Sequence, residues 1–152
     1  MTPQERLTEL GLTLPEVTSP LGAYVPATRS GDHVYTSGQL PTVNGELKAT
    51  GKVGAEVEAE AAYDLARICA INALAAIASA AGGLSNIVRI VKVTAFVASA
   101  PDFTGQAKVA NGASELFGEV FGEAGRHVRS AVGVTVLPLD APVEVEVVAE
   151  VR

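Results

Sequence analysis

The clearest pattern in the chain is its last. From Val143 to Val151 the apolar Val143, Val145, Val147, Ala149 and Val151 alternate with Glu144, Glu146 and Glu150. That is the two-residue period of a strand with one apolar and one polar face. Ile87–Ala98 (IVRIVKVTAFVA) is rich in β-branched residues and reads as a buried strand. Between Ala55 and Ala81 the spacing turns helical: Leu65, Ile68, Cys69, Asn72 and Ala76 share one face, and Ile71, Leu74 and Ala78 widen it. So broad an apolar surface predicts a helix covered on much of its circumference, lying on a sheet and ended by Gly82-Gly83. Thr104–Glu123 predicts a second helix with Val109, Leu116, Phe117, Val120 and Phe121 as its buried stripe, broken by Gly125. Val128–Val136 predicts another strand, and Leu137–Pro142 a turn. Nearer the start, Thr2–Leu12 predicts a short amphipathic helix, followed by a proline-containing arm to Pro20. Ala23–Thr28 and His33–Gly38 flank Arg29-Ser30-Gly31-Asp32 as a β-hairpin, and Asn44-Gly45 marks a second tight turn.

Hairpin, helix, strand, helix and two strands in that order predict an α+β fold, a mixed sheet with both main helices on one face. Alternation assigns Val132, Val134 and Val136 to the core, and Arg129, Ala131 and Gly133 to the opposite face. The face of the sheet left over is expected to close against copies of itself in a symmetric oligomer. If strands 128–136 and 143–151 form an antiparallel hairpin turning near Leu139-Asp140, Arg129 pairs near Glu150. Glu144 then lies roughly 20 Å from Arg129. A site using both residues requires two chains or a different strand pairing.

Composition narrows the picture. A chain of 152 residues fits one domain, and aromatics at 5% with no Trp mean a core of Ala, Val, Leu and Ile whose elements approach closely. The net charge of −6 and the lack of a basic stripe disfavour nucleic acid as a partner. A single cysteine, Cys69, allows no intrachain disulfide and fits a reducing compartment. The first residues lack the apolar segment of a signal peptide, and the longest apolar stretch, Ala70–Leu84, is shorter than the roughly 20 residues of a membrane span. The expectation is a cytoplasmic protein away from membranes.

Candidate chemistry centres on Arg129. Its planar fork suits bidentate binding of a carboxylate, and small neighbours at Ala131 and Gly133 leave room for a ligand. The competing reading is a salt bridge to Glu144 or Glu150. His127 could act as a base near neutral pH, although a lone loop histidine is more often solvated, and His33 has less to recommend it. Neither has partners at a metal-ligand spacing, so no metal is expected. Cys69 reads as core. No phosphate-loop, dinucleotide or nucleophile-elbow pattern is present, so no cofactor is expected. Glu144 is either one of three solvated glutamates or a carboxylate placed to activate water.

Seven segments, in order, resemble the reactive intermediate deaminase (Rid/YjgF, endoribonuclease L-PSP-like) family. They are Gly22-Ala23-Tyr24-Val25, Thr36-Ser37-Gly38-Gln39-Leu40-Pro41, Val91–Val97, Val109-Ala110-Asn111, Arg129-Ser130-Ala131-Val132, Leu137-Pro138 and Val143-Glu144-Val145-Glu146. The resemblance covers residues 21–152 as one family domain, with 1–20 as an added helix and arm. The arm and the GRHVRSAVGV wording resemble a longer subgroup described as chorismate-mutase-like. The resemblance implies a homotrimer around a central barrel, with three sites at subunit interfaces. It also implies cofactor-independent hydrolysis of enamine or imine acids of the 2-aminoacrylate type to keto acid and ammonia. By position, Arg129 would hold the substrate carboxylate and Glu144 would stand near the attacking water. Tyr24 would form an aromatic wall, and Ser37, Gly38 and Asn111 would line the pocket. Ala131 stands where many members have Cys, leaving its backbone to contact substrate. Alternatives are a non-catalytic sensor of small carboxylates and, from the family label, an endoribonuclease or translation inhibitor. A chorismate mutase reading rests on fold alone, and one arginine is poor provision for a dianion.

Overall fold

The computed structural model describes residues 1–18 and 20–152. Helix α1 (Pro3–Glu9) is nucleated by a capping box. The Thr2 hydroxyl accepts from the Glu5 N–H at 3.2 Å, and the Glu5 carboxylate accepts from the Thr2 N–H at 2.9 Å. It is shorter than predicted because Gly11 turns left-handed at φ 71°. Its one buried residue is Leu7.

The central sheet runs β1 (Ala27–Ser30), β2 (His33–Thr36), β7 (Val143–Val151), β5 (Ile87–Ala98), β6 (Val128–Val134). All pairs are antiparallel except β5 and β6. A separate two-stranded hairpin, β3 (Thr42–Val43) and β4 (Glu46–Leu47), turns at Asn44 and Gly45. Both turn residues have positive φ, which the two-residue turn demands. Helices α2 (Ala59–Ala81) and α3 (Gln106–Phe121) lie on one face of the sheet, so the fold is the expected mixed α+β arrangement. α2 stops where Gly82 adopts φ 80° and donates its N–H to the Ala78 and Ser79 carbonyls.

The core sits between this face and the helices. Val143, Val145, Val147, Ala149 and Val151 of β7 and Val93, Ala95 and Val97 of β5 meet Leu65, Cys69 and Leu74 of α2 and Val109, Leu116, Phe117 and Val120 of α3. The alanine-rich composition lets the two helices come together closely. A Cβ on Gly112 of α3 would lie 2.9 Å from the Tyr63 carbonyl carbon of α2 and run into its oxygen. α2 is long and apolar enough to cross a membrane by length and composition alone, contrary to the shorter stretch read from the sequence. Most of that stretch is buried inside the fold.

Two expectations about β6 are corrected. It does not pair with β7, because β5 lies between them. Residues 135–142 form a connection longer than the roughly two to five residues of an ordinary hairpin, and they cross the end of β5 instead. β6 is parallel to β5, which requires a crossover, and α3 supplies it. The faces of β6 are also reversed. Register pairs Arg129 with Val93, Ala131 with Ala95 and Gly133 with Val97, all toward the helices. Gly133 itself stays exposed, with the end of the Gln106 side chain beside it: a Cβ there would come 2.8 Å from the Gln106 amide nitrogen. The valines meant for the core lie on the other side or beyond the strand. Val132 is 44% exposed and Val136 61%, and Val128 at 65% joins them on an apolar face that no part of the described chain covers.

Candidate functional site

Arg129 extends from the edge strand β6 beneath α3. Ala107, Asn111 and Ser114 stand four and three residues apart on that helix, so they share one face and meet one side chain. Nη1 of Arg129 donates to Asn111 Oδ1 at 2.8 Å and to Ser114 Oγ at 3.1 Å. Nη2 makes a long 3.4 Å contact to the Ala107 carbonyl. Among the described residues no carboxylate lies within salt-bridge distance of this half-buried guanidinium. The bridges to Glu144 or Glu150 considered from sequence are therefore not formed.

His127 backs this arrangement. Its Nε2 lies 2.8 Å from Ser114 Oγ and its Nδ1 2.6 Å from the Gly125 carbonyl oxygen. The ring stands edge-on to Phe117 with centroids 6.0 Å apart. Burial lowers its affinity for a proton, the Gly125 carbonyl pulls the other way, and the Arg129 charge lowers it further. A shallow cleft of about 320 Å³ runs past Ser114, Gly118, Gly125, Arg126, His127 and Arg129.

A second, larger cavity of about 900 Å³ opens at the far end of β7. Tyr24, Gly38, Leu40, Asn72, Leu139 and Glu144 are among its lining residues, and Pro15 and Val17 of the N-terminal arm form part of the wall. Gln39 and Val145 exchange backbone hydrogen bonds of 2.8 and 3.0 Å, which lays Gly38 over the Glu144 side chain. A Cβ on Gly38 would come within 2.7 Å of the Glu144 carboxyl carbon. Glu144 is half-buried, and burial first, then the charge of Glu146, raises its proton affinity above that of an ordinary carboxylate. Tyr24 is half exposed at the mouth, its hydroxyl accepting from the Leu21 N–H at 3.2 Å.

Of the other residues predicted for the site, Ser37 lies beside the cavity rather than in its lining. Its hydroxyl donates to the Val25 carbonyl at 2.6 Å and so ties down the segment that leads into β1. The Ala131 side chain packs on the core. Sequence reasoning missed the part Asn72 plays. It is buried, and its Nδ2 donates to the Leu40 and Thr42 carbonyls at 3.1 and 2.9 Å, which fixes the loop of the cavity floor. The signal was a lone amide on an otherwise apolar helix stripe. It also missed Ser114 and the backing role of His127. Cys69 is core as expected, and burial raises its thiol well above the usual range.

The two clusters do not meet within one chain. The row Arg129–Val93–Val147 faces the helices, whereas Glu144 lies on the open face, in the row Val132–Phe96–Glu144. Arg129 and Glu144 are thus two strands apart, three residues apart along the strands, and on opposite sides of the sheet. Roughly 10 Å in each direction separates their backbones, rather than the hairpin spacing expected.

A family profile described as "YjgF/chorismate mutase-like, putative endoribonuclease" matches residues 4–151. Protein TCP17 of Trypanosoma cruzi is 42% identical over 147 residues, 96% of this chain and 92% of that protein. The 2-iminobutanoate/2-iminopropanoate deaminase of Escherichia coli K12 is 37% identical over 131 residues, 85% of this chain and 88% of that one. Among solved structures, protein Atu1372 of Agrobacterium tumefaciens, described as of unknown function, superposes with a TM-score of 0.92 at 46% identity, covering 99% of this chain and 92% of that one. Escherichia coli TdcF with bound serine superposes at 0.66 with 33% identity, covering 90% and 94%.

Proposed function

The chain belongs to the Rid/YjgF family, which includes deaminases of reactive enamine and imine acids, and on that premise we propose that it hydrolyses small imine or enamine acids to keto acid and ammonia. The observation that carries this reading is Arg129 itself. A half-buried cation is held rigid by neutral partners, and among the described residues no acid neutralises it. Such a group is provision for an anion from outside the chain.

The chemistry follows from the two clusters. Arg129 binds the substrate carboxylate and orients the C=N carbon. Backbone groups about Ala131, on an edge strand whose outer N–H and C=O groups have no strand partner among the described residues, hold the substrate nitrogen. Glu144, made basic by burial, takes a proton from water as its oxygen adds to that carbon. An enamine first shifts a proton from nitrogen to its terminal carbon to become the imine. After water adds, the proton taken by Glu144 passes to nitrogen, the carbinolamine hydroxyl gives up its own proton to nitrogen as the C–N bond breaks, and keto acid and ammonia leave. Gly38, Asn111 and Tyr24 shape the pocket, and no cofactor takes part.

Because Arg129 and Glu144 lie on opposite faces, the complete site takes Arg129 from one subunit and Glu144 from the next. This supports the homotrimer with a central barrel, built on the open face bearing Val128 and Val132. Arg129→Ala is expected to lose ammonia release from freshly generated 2-aminoacrylate by a hundredfold or more while sedimenting as the wild type does. Wild-type rates in the variant would remove Arg129 from the reaction. Stabilisation by keto acids without any turnover in the wild type would make the protein a carboxylate sensor instead.

A further inference from the structure

We propose that Ser114 and His127 form a hydrogen-bond relay that positions Arg129 for the carboxylate and makes its grip depend on the protonation of His127. The proposal rests on Arg129 being the carboxylate-binding group.

The polarity of the relay is fixed independently from both ends. A guanidinium can only donate, so Ser114 Oγ accepts from Arg129 Nη1 at 3.1 Å. A carbonyl oxygen can only accept, so His127 Nδ1 carries a hydrogen and donates it to Gly125 at 2.6 Å. In the neutral ring Nε2 is then a bare acceptor, and the Ser114 hydroxyl hydrogen, 2.8 Å away, completes the line. Asn111 takes the second hydrogen of Nη1 at 2.8 Å. With Nη1 occupied and one hydrogen of Nη2 turned to Ala107, the edge formed by Nε and the other Nη2 hydrogen remains. Among the described residues nothing accepts from Nε, and this side-on edge is a fork that matches the two oxygens of a carboxylate.

Protonating Nε2 breaks the order. Two donors then point at one hydroxyl, the hydroxyl hydrogen loses its acceptor, and an imidazolium lies one serine away from the guanidinium. Of the groups around His127, only Arg129 puts a charge on it. From α3 it is faced by Ser114 and Phe117, and Glu115 and Glu119 of that helix turn instead to Tyr63 and Arg67 of α2. Arg126 makes an exposed pair with Glu123. Burial already favours the neutral ring, so the relay is intact at neutral pH and fails on acidification.

Pyruvate binding by calorimetry, and kcat and KM for 2-aminoacrylate hydrolysis, test this across pH 5.5–8 in the assembled protein. Ser114→Ala and His127→Ala are expected to raise the pyruvate Kd and the KM about tenfold at neutral pH, with smaller changes in kcat. Wild-type affinity is expected to fall on acidification. His127→Gln, whose amide oxygen can accept from Ser114 but does not titrate, is expected to keep neutral-pH affinity and to flatten the pH profile. Ser114 lies on a partly exposed helix face where alanine favours the helix, so the variant folds. Unchanged Kd in Ser114→Ala and His127→Ala, or an affinity that rises on acidification, overturns the relay. Arg129→Ala separates the two readings. Lost pyruvate binding there beside normal Ser114→Ala leaves the carboxylate site standing and removes only the relay, whereas retained binding in Arg129→Ala sinks the site itself and the relay with it.

Discussion

Gly38→Ala is the sharpest probe of how the cavity holds its carboxylate. The added methyl would stand 2.7 Å from the Glu144 carboxyl carbon and 2.9 Å from its Cγ, and would overlap Oε1. Carbon atoms settle at about 3.5–4.0 Å, so the carboxyl group must retreat by about 1 Å. Gln39 is pinned to Val145 by two backbone bonds, so the side chain moves rather than the loop. A displacement of that size at a reacting group can lower a rate by roughly a hundredfold, and forcing the side chain off its rotamer costs about 1 kcal/mol. Ammonia release from 2-aminoacrylate measures the first effect, and a thermal melt bounds the second. The expected outcome is a kcat loss of about two orders of magnitude with a modest fall in Tm. In a Glu144→Gln background the same change should add little, because the displaced group is already disabled. Full activity in Gly38→Ala, or a loss that multiplies undiminished onto Glu144→Gln, would refute the placement of Glu144 beside the reacting water.

Glu144→Gln alone should abolish most turnover yet raise Tm at neutral pH by a few degrees at most. Folding raises this group's proton affinity, so its contribution is complete below the ordinary value of 4.5 and is lost as pH rises through the higher folded value. The stability gap between variant and wild type should therefore close on acidification, and melts at a series of pH values check it. Gly112→Ala, which on an open helix would gain about 1 kcal/mol, should instead destabilise by about 2–3 kcal/mol because its methyl meets the Tyr63 carbonyl. That corresponds to a drop of roughly 5–10 °C in Tm, and a higher melt would contradict the close helix contact.

Most of the scaffold was legible because local patterning and tertiary demand agree in it. The bounds read for β5 and β7 hold to the residue, β7 keeps its two-residue period while β5 carries irregularities between Ile87 and Lys92, and Gly82 ends α2 where only a left-handed residue serves. β6 was misread in a specific way. Ala131 and Gly133 suggested an open face, but small residues also occur where elements pack close, as Ala131 does against the core. Which of the two holds depends on a helix delivered by a crossover, and no local window contains that information. Arg129, Glu144 and Asn111 could be picked out from residue chemistry and the family resemblance. Ser114 could not, because its role exists only once a strand passes beneath α3.

The split of the two clusters across the sheet has a genetic corollary. If each reaction centre borrows from two neighbours, a defect in Arg129 and a defect in Glu144 are not the same lesion. Chains crippled at one position, co-expressed with chains crippled at the other, would assemble some boundaries at which both intact halves meet. For random assembly from equal amounts that is about a quarter of them, so two inert parents would yield an active hybrid.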